Sequence, residues 1–108
     1  MIPASLFEVP TIETIYFDNN QFSLTIPANY GESATLRELW LNDNNLVGEI
    51  PPIQDITASS LQIMRFDSTM LTGTMPESVC NLPELATLTA DCSEPNPEVV
   101  CECCTTCF

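Results

Sequence analysis

Three stretches of this chain align without gaps: residues 12–27 (IETIYFDNNQFSLTIP), 36–51 (LRELWLNDNNLVGEIP) and 61–76 (LQIMRFDSTMLTGTMP). They begin 24 and then 25 residues apart, and LATLTAD, residues 85–91, starts a fourth stretch 24 residues later. The opening Ile2-Pro3 lies 24 residues before Ile26-Pro27. A period of this length is a strong constraint, because one unit is too short to bury its own apolar face. The units must stack and share a single core. The recurring apolar columns are Ile12/Ile15/Phe17, Leu36/Leu39/Leu41, Leu61/Met64/Phe66 and Leu85/Leu88/Ala90, followed one turn on by Phe22, Leu46 and Leu71.

The stacked stretches read L-x-x-L-x-L-x-x-N-x-L-x-G-x-I-P. Alternation of inward and outward residues predicts a short strand. The Asn position holds Asn20 and Asn44, then drifts to Thr69 and Ser93. An Asn side chain there can satisfy backbone groups where the chain leaves the strand. Gly48 and Gly73 permit a bend that Leu24 replaces in the first unit, and the proline after it interrupts helix and sheet alike. Leu6/Val9 and Val79/Leu82, at three-residue spacing, are expected to face the core from a helical return.

This pattern resembles the leucine-rich repeat family in its plant-type form, and it covers nearly the whole chain in register. The resemblance implies an α/β solenoid. Its right-handed coil would carry a short parallel sheet on the concave side and 3₁₀, short helical or irregular returns on the convex side. The expected organisation is repeats over residues 1–91 (a partial repeat 1–11, repeats 12–35, 36–60 and 61–84, a terminal strand 85–91), then a cysteine-rich C-terminal cap over 92–108. Met1 is in register with Thr25, Glu49 and Thr74, so the chain opens in mid-repeat. It resembles the C-terminal part of a longer secreted or receptor-like protein.

After Asp91 the repeat stops, and Pro95 and Pro97 forbid another coil. The last coil would still expose a strand edge, which invites pairing unless covered. The sequence CSEPNPEVVCECCTTCF supplies a cover, with Val99, Val100 and Phe108 as its apolar part. It resembles the disulfide-bonded cap of diatom-type members. Cys80, Cys92, Cys101, Cys103, Cys104 and Cys107 allow fifteen pairings. The expected set joins Cys92 to Cys101, Cys80 to Cys103 or Cys104, and Cys107 to whichever of those two remains. A zinc site is the competing reading, but only Cys104 and Cys107 make a C-x-x-C and no second knuckle exists. A redox-active thiol is a third, and no basic residue lies nearby to stabilise a thiolate. The disulfide reading implies an extracellular or secretory location. The N-terminus lacks a basic start and a long apolar stretch, so any signal peptide would lie upstream.

Charge narrows the partners. Fifteen acidic residues stand against Arg37 and Arg65, with no lysine and a net charge of −13. Nothing here neutralises phosphates, which excludes nucleic acid and anionic membrane as partners. No apolar run is long enough for membrane insertion. With no histidine, Ser–His–Asp and Cys–His chemistry is absent. There is no nucleotide loop or spaced carboxylate pair, so no enzyme, cofactor or resident metal is expected.

Recognition would then fall to outward strand residues. One column holds Thr14, Glu38, Ile63 and Thr87. The middle one holds Tyr16, Trp40, Arg65 and Thr89. The third holds Asp18, Asn42, Asp67 and Asp91. Aromatics and arginine dominate binding hot spots. Tyr16, Trp40, Arg65, Asp18, Asn42, Asp67 and Glu38 are therefore the candidate partner-binding residues, for a protein, a peptide or a carbohydrate on the concave face. The acidic column could share a hard cation, but it comes from separate coils with no loop to complete the ligands, and a solvated polar stripe is the plainer reading. The alternative to a binding module is a structural or matrix solenoid with no discrete ligand site.

Overall fold

The structure, a computed structural model, describes residues 2–18 and 23–108. Asn20 and Phe22, two of the repeat positions, lie outside the described residues. The chain coils into a solenoid measuring 40 × 29 × 18 Å. Each turn gives one strand to a first sheet and one to a second. The first sheet is five-stranded and parallel, built from β1 (Thr14–Tyr16), β3 (Glu38–Trp40), β5 (Ile63–Arg65), β7 (Thr87–Ala90) and β9 (Thr106–Cys107) in that order. The second holds β2 (Ser23–Leu24), β4 (Asn45–Glu49), β6 (Met70–Thr74) and β8 (Val99–Val100). Short returns complete the turns: 3₁₀ segments at Ala4–Glu8 and Ile56–Ala58, and the single α-helical turn α1 (Glu77–Cys80).

Register in the first sheet follows the repeat. Ile15 pairs with Leu39, Leu39 with Met64, and Met64 with Leu88, so equivalent leucine positions form one buried row. Leu36, Leu41, Leu46, Leu61, Phe66 and Leu71 fill the space behind it and are fully buried. The second sheet was not legible in the repeat pattern beyond an extended Ile-Pro segment. Its pairs are staggered relative to the repeat: Gly48 faces Leu71 rather than Gly73. Gly48 and Gly73 both sit at positive φ, 87° and 90°, a region closed to most side chains. A Cβ on Gly73 would stand 2.5 Å from the Glu49 side chain of the preceding coil.

Two return residues differ from expectation. Val9 is exposed, and Phe7 takes the core place instead: the 3₁₀ segment ends at Glu8, so Val9 lies past it in extended backbone, while Phe7 is the residue that the segment buries. Val79 and Leu82 are both buried. Tyr30, unremarkable in the sequence, has no exposed surface. Its ring meets Phe66 edge-on at 6.2 Å, and its hydroxyl donates to the Pro51 carbonyl at 2.7 Å. That burial pushes its phenol pKa far above the ordinary value.

Asn44 ties the turn between sheets. Its Nδ2 donates to the carbonyls of Phe17 (2.7 Å), Leu41 (3.1 Å) and Asn42 (3.2 Å), bridging two coils. The backbone N–H groups of Asp43 and Asn44 reach the Asp67 and Ser68 carbonyls of the next coil. One coil later no further repeat offers those carbonyls. There the Asp91 carboxylate takes their place, accepting from the N–H groups of Ser68 (2.8 Å) and Thr69 (3.1 Å). Asp43 and Ser68 share a left-handed backbone at this turn, φ 59° and 56°.

Residues 92–108 continue both sheets. Thr106 and Cys107 pair with Thr89 and Ala90, while Val99 and Val100 pair with Gly73 and Thr74. Disulfides join Cys80 to Cys103, Cys92 to Cys107 and Cys101 to Cys104. The expected Cys92–Cys101 bond is thus replaced, as is the bond from Cys107 to Cys104. Strand pairing explains the exchange: β9 lies beside β7, which brings Cys107 next to Cys92, whereas Cys101 follows β8 on the other sheet. Of the apolar cover, Val99 is buried but Val100 and Phe108 are exposed.

Two stability predictions follow from these contacts. Asn44→Ala removes the donor to three carbonyls, two of those bonds buried, and should cost roughly 1–3 kcal/mol, whereas the exposed neighbour change Asn45→Ala should stay within about 0.5 kcal/mol. Chemical denaturation of the oxidised protein checks both, and equal costs would refute the tie. Replacing Cys92 and Cys107 together by Ser should cost about 3 kcal/mol for a loop of this size. An unchanged unfolding midpoint would show that the last strand does not depend on that bond.

Candidate functional site: the outer face of the five-stranded sheet

Alternation along β1, β3 and β5 turns Ile15, Leu39 and Met64 inward and sends their neighbours out. Parallel pairing then places Tyr16 beside Trp40 and Trp40 beside Arg65. The rings of Tyr16 and Trp40 lie 5.5 Å apart at 51° to each other. The Arg65 guanidinium stands 5.3 Å from the centre of the Trp40 ring. On its other flank it stands 5.5 Å from the ring of Phe108. A continuous stripe of planar groups, Tyr16–Trp40–Arg65–Phe108, therefore crosses the sheet. Sequence reading placed Phe108 in the apolar cover. The residue joins the stripe because β9 extends the sheet and carries it past Ala90, whose carbonyl accepts from its N–H at 3.0 Å.

Carboxylates hold the stripe from below. Glu38 Oε1 accepts from the Tyr16 hydroxyl (3.3 Å) and from Trp40 Nε1 (3.1 Å). Asp67 grips Arg65 with both oxygens, Nε to Oδ1 at 3.1 Å and Nη2 to Oδ2 at 2.9 Å, and its Oδ1 also accepts from the Thr89 hydroxyl at 2.5 Å. The Asp67 side chain is 3% exposed and that of Arg65 24%. Partial desolvation of the Tyr16 phenol, then the negative charge and hydrogen bond of Glu38, and then the charge of Asp18 raise its pKa above the ordinary value.

The candidate residues thus divide. Tyr16 is exposed, and Trp40, Arg65 and Glu38 are half-buried. Asp18 is half-buried as well. Asn42 and Asp67 are buried, so they support the face rather than present themselves on it. The third column is accordingly not an open acidic stripe: Asp67 is committed to Arg65, and Asp91 to the Ser68–Thr69 turn. Among the described residues no cluster of three or more metal-ligating side chains occurs. No helix among them is long and apolar enough to cross a membrane.

The Leucine Rich Repeat family profile matches residues 35–53, the coil that carries Trp40, Asn44 and Gly48. Over 67 residues, 61% of this chain, the sequence is 36% identical to pollen receptor-like kinase 2 of Arabidopsis thaliana. Over 75 residues, 69% of this chain, it is 33% identical to receptor-like protein 32 of the same plant. A probable leucine-rich repeat receptor-like serine/threonine-protein kinase of that plant is 30% identical over 74 residues. The chain belongs to the leucine-rich repeat family. Its repeat is of the plant type. The chain spans only about a tenth of the length of these curated relatives. A leucine-rich repeat frame accounts for the Leu, Asn and Gly columns, whereas the identity of the outward residues is free to vary on the same frame.

Arg65→Ala should destabilise the protein by roughly 3–5 kcal/mol, since it leaves Asp67 charged and buried with one hydroxyl donor. The double change Arg65→Ala with Asp67→Asn should recover much of that loss. A denaturation cycle over the four proteins checks this, and additive losses would disprove the coupling. Glu38→Gln should lower the Tyr16 phenol pKa, because it removes a negative charge and a hydrogen-bonded carboxylate. Phenolate absorbance reads this cleanly, as Tyr30, the only other tyrosine, titrates far higher. An unshifted midpoint would remove Glu38 from the account.

Proposed function

We propose that this chain is a non-catalytic recognition module. It would bind a protein or peptide partner on the concave face of the five-stranded sheet, in the extracellular or secretory space. The observation that carries the reading is the stripe itself. Tyr16, Trp40 and Arg65, from three neighbouring strands, and Phe108, just past β9, are held in contact before any partner arrives. Large planar side chains fixed in this way lose little conformational freedom on binding, which is the property of hot-spot residues. Two comparisons support the interaction role, since the relatives are named as receptor-like proteins. Three disulfides support an oxidising compartment.

In this reading the presenting residues are Tyr16, Trp40, Arg65, Phe108 and Glu38, with Asn42, Asp67 and Asp18 supporting them. Residues 1–91 form the repeat body, and 92–108 close its end while delivering Phe108. Tyr16→Ala and Trp40→Ala, each confirmed as folded, should weaken partner capture from the native extracellular milieu by about 30-fold or more, the loss typical of a hot spot. Quantitative pull-down with both variants and a Met70→Ala control on the second sheet provides the check. Capture that survives both stripe variants would favour a scaffold role instead.

A further inference from the structure

Two corners of the stripe share one plan. In the first, the Trp40 ring, the Arg65 guanidinium and the Asp67 carboxylate form an aromatic–cation–anion set, with the cation 5.3 Å from the ring centre and 2.9 Å from its carboxylate. In the second, Tyr16 and Trp40 open at 51° to each other, and the Glu38 carboxylate is hydrogen-bonded to both. Aromatic faces and an anion are again present. Among the described residues the second corner lacks the cation. Tyr16 is 61% exposed there. Among the described residues Glu38 is engaged through Oε1 alone, which leaves Oε2 free to accept.

Among its described residues the chain supplies no side-chain cation to this corner. It has no lysine and only two arginines. Arg65 is held by Asp67, and Arg37 lines a separate shallow hollow with Thr11, Glu13, Thr35 and Ser60. We propose that the Tyr16–Trp40–Glu38 corner takes a guanidinium or ammonium side chain from a basic protein or peptide segment. This rests on the recognition reading above and names the chemistry of its partner. The exposed Tyr16 ring, backed by Trp40, supplies cation–π attraction of the kind most often used with arginine. Glu38 supplies a charge-assisted hydrogen bond. The net charge of −13 steers a basic segment toward the module and repels an acidic one. A neutral carbohydrate would use the rings but would leave the Glu38 charge and the acidic surround without a role.

The test uses the intact oxidised chain and the emission of Trp40, its only tryptophan. The probe is an end-blocked Gly-Arg-Gly-Arg-Gly peptide. Its counterpart carries citrulline in place of each arginine, which keeps the shape and removes the charge. A neutral oligosaccharide is the third probe. The arginine peptide is expected to change Trp40 emission saturably, with affinity at least about tenfold above the citrulline peptide and falling with added salt. Glu38→Gln should cost about tenfold, whereas Glu77→Gln on α1 should stay within about twofold, as a buried-rim charge and a distant one differ. Circular dichroism confirms that each variant is folded.

Equal response to both peptides, or a response to the oligosaccharide alone, overturns the cation assignment while the recognition reading stands. Equal losses in Glu38→Gln and Glu77→Gln overturn it too, because they reveal diffuse charge attraction without a site. Silence toward all three probes overturns the assignment, and the capture experiment above then decides the recognition reading separately.

Discussion

No coil of this chain can bury its leucines against itself. Leu39 has only the coils before and after it to meet, and the same is true of Ile15, Met64 and Leu88. Stacking is therefore the constraint on which the rest depends. Parallel strands about 4.8 Å apart must keep equivalent residues side by side, because a slip by one residue would turn the leucines outward. The core demands that register. The surface inherits it, since whatever occupies the position after each inward leucine becomes a column on the outer face. Tyr16, Trp40 and Arg65 meet because Ile15, Leu39 and Met64 do.

A stack must also end. Inside it, the turn after each strand borrows carbonyls from the next coil, as Asp43 and Asn44 borrow those of Asp67 and Ser68. At the last turn a side chain substitutes for the missing backbone, with both oxygens of Asp91 accepting the orphaned N–H groups. The two sheets face the same difficulty, and two-residue strands from the cysteine-rich segment extend each of them. Such short edge strands offer little template for further pairing. Disulfides hold the segment where apolar burial is thin, since Val100 and Phe108 remain exposed.

Much of this was legible in the sequence, and the boundary of legibility has a physical reason. The first sheet, its register and the outward columns follow from one-dimensional periodicity, because neighbouring coils repeat it. The Asn44 turn was legible too, since it is a local hydrogen-bonding motif repeated with the period. The second sheet was not, because its strands pair with a stagger that the repeat does not encode, Gly48 against Leu71. Disulfide partners were equally hidden. The pairing of Cys92 with Cys107 depends on β9 joining β7, an event in space without a sequence signal. Nor could alternation alone separate Asp67 from Asp18. Both point away from the core, yet one is buried by the arginine it neutralises.

Arg65 links these threads. Its guanidinium touches Trp40 of the preceding coil, Asp67 of its own, and Phe108 of the terminal segment, while Asp67 in turn holds Thr89 of the following strand. A side chain tethered this way has few rotamers left. The same holds for Trp40, pinned by Arg65 on one side and by Tyr16 and Glu38 on the other. Rigidity in the face is thus not separate from closure of the stack: the segment that shields the last strand also supplies the ring that brackets Arg65. Loss of that bracket would leave Arg65 flanked on one side alone, with Asp67 and Trp40 to hold the guanidinium. An outer face with that dependence is only as preorganised as the end of its solenoid is secure.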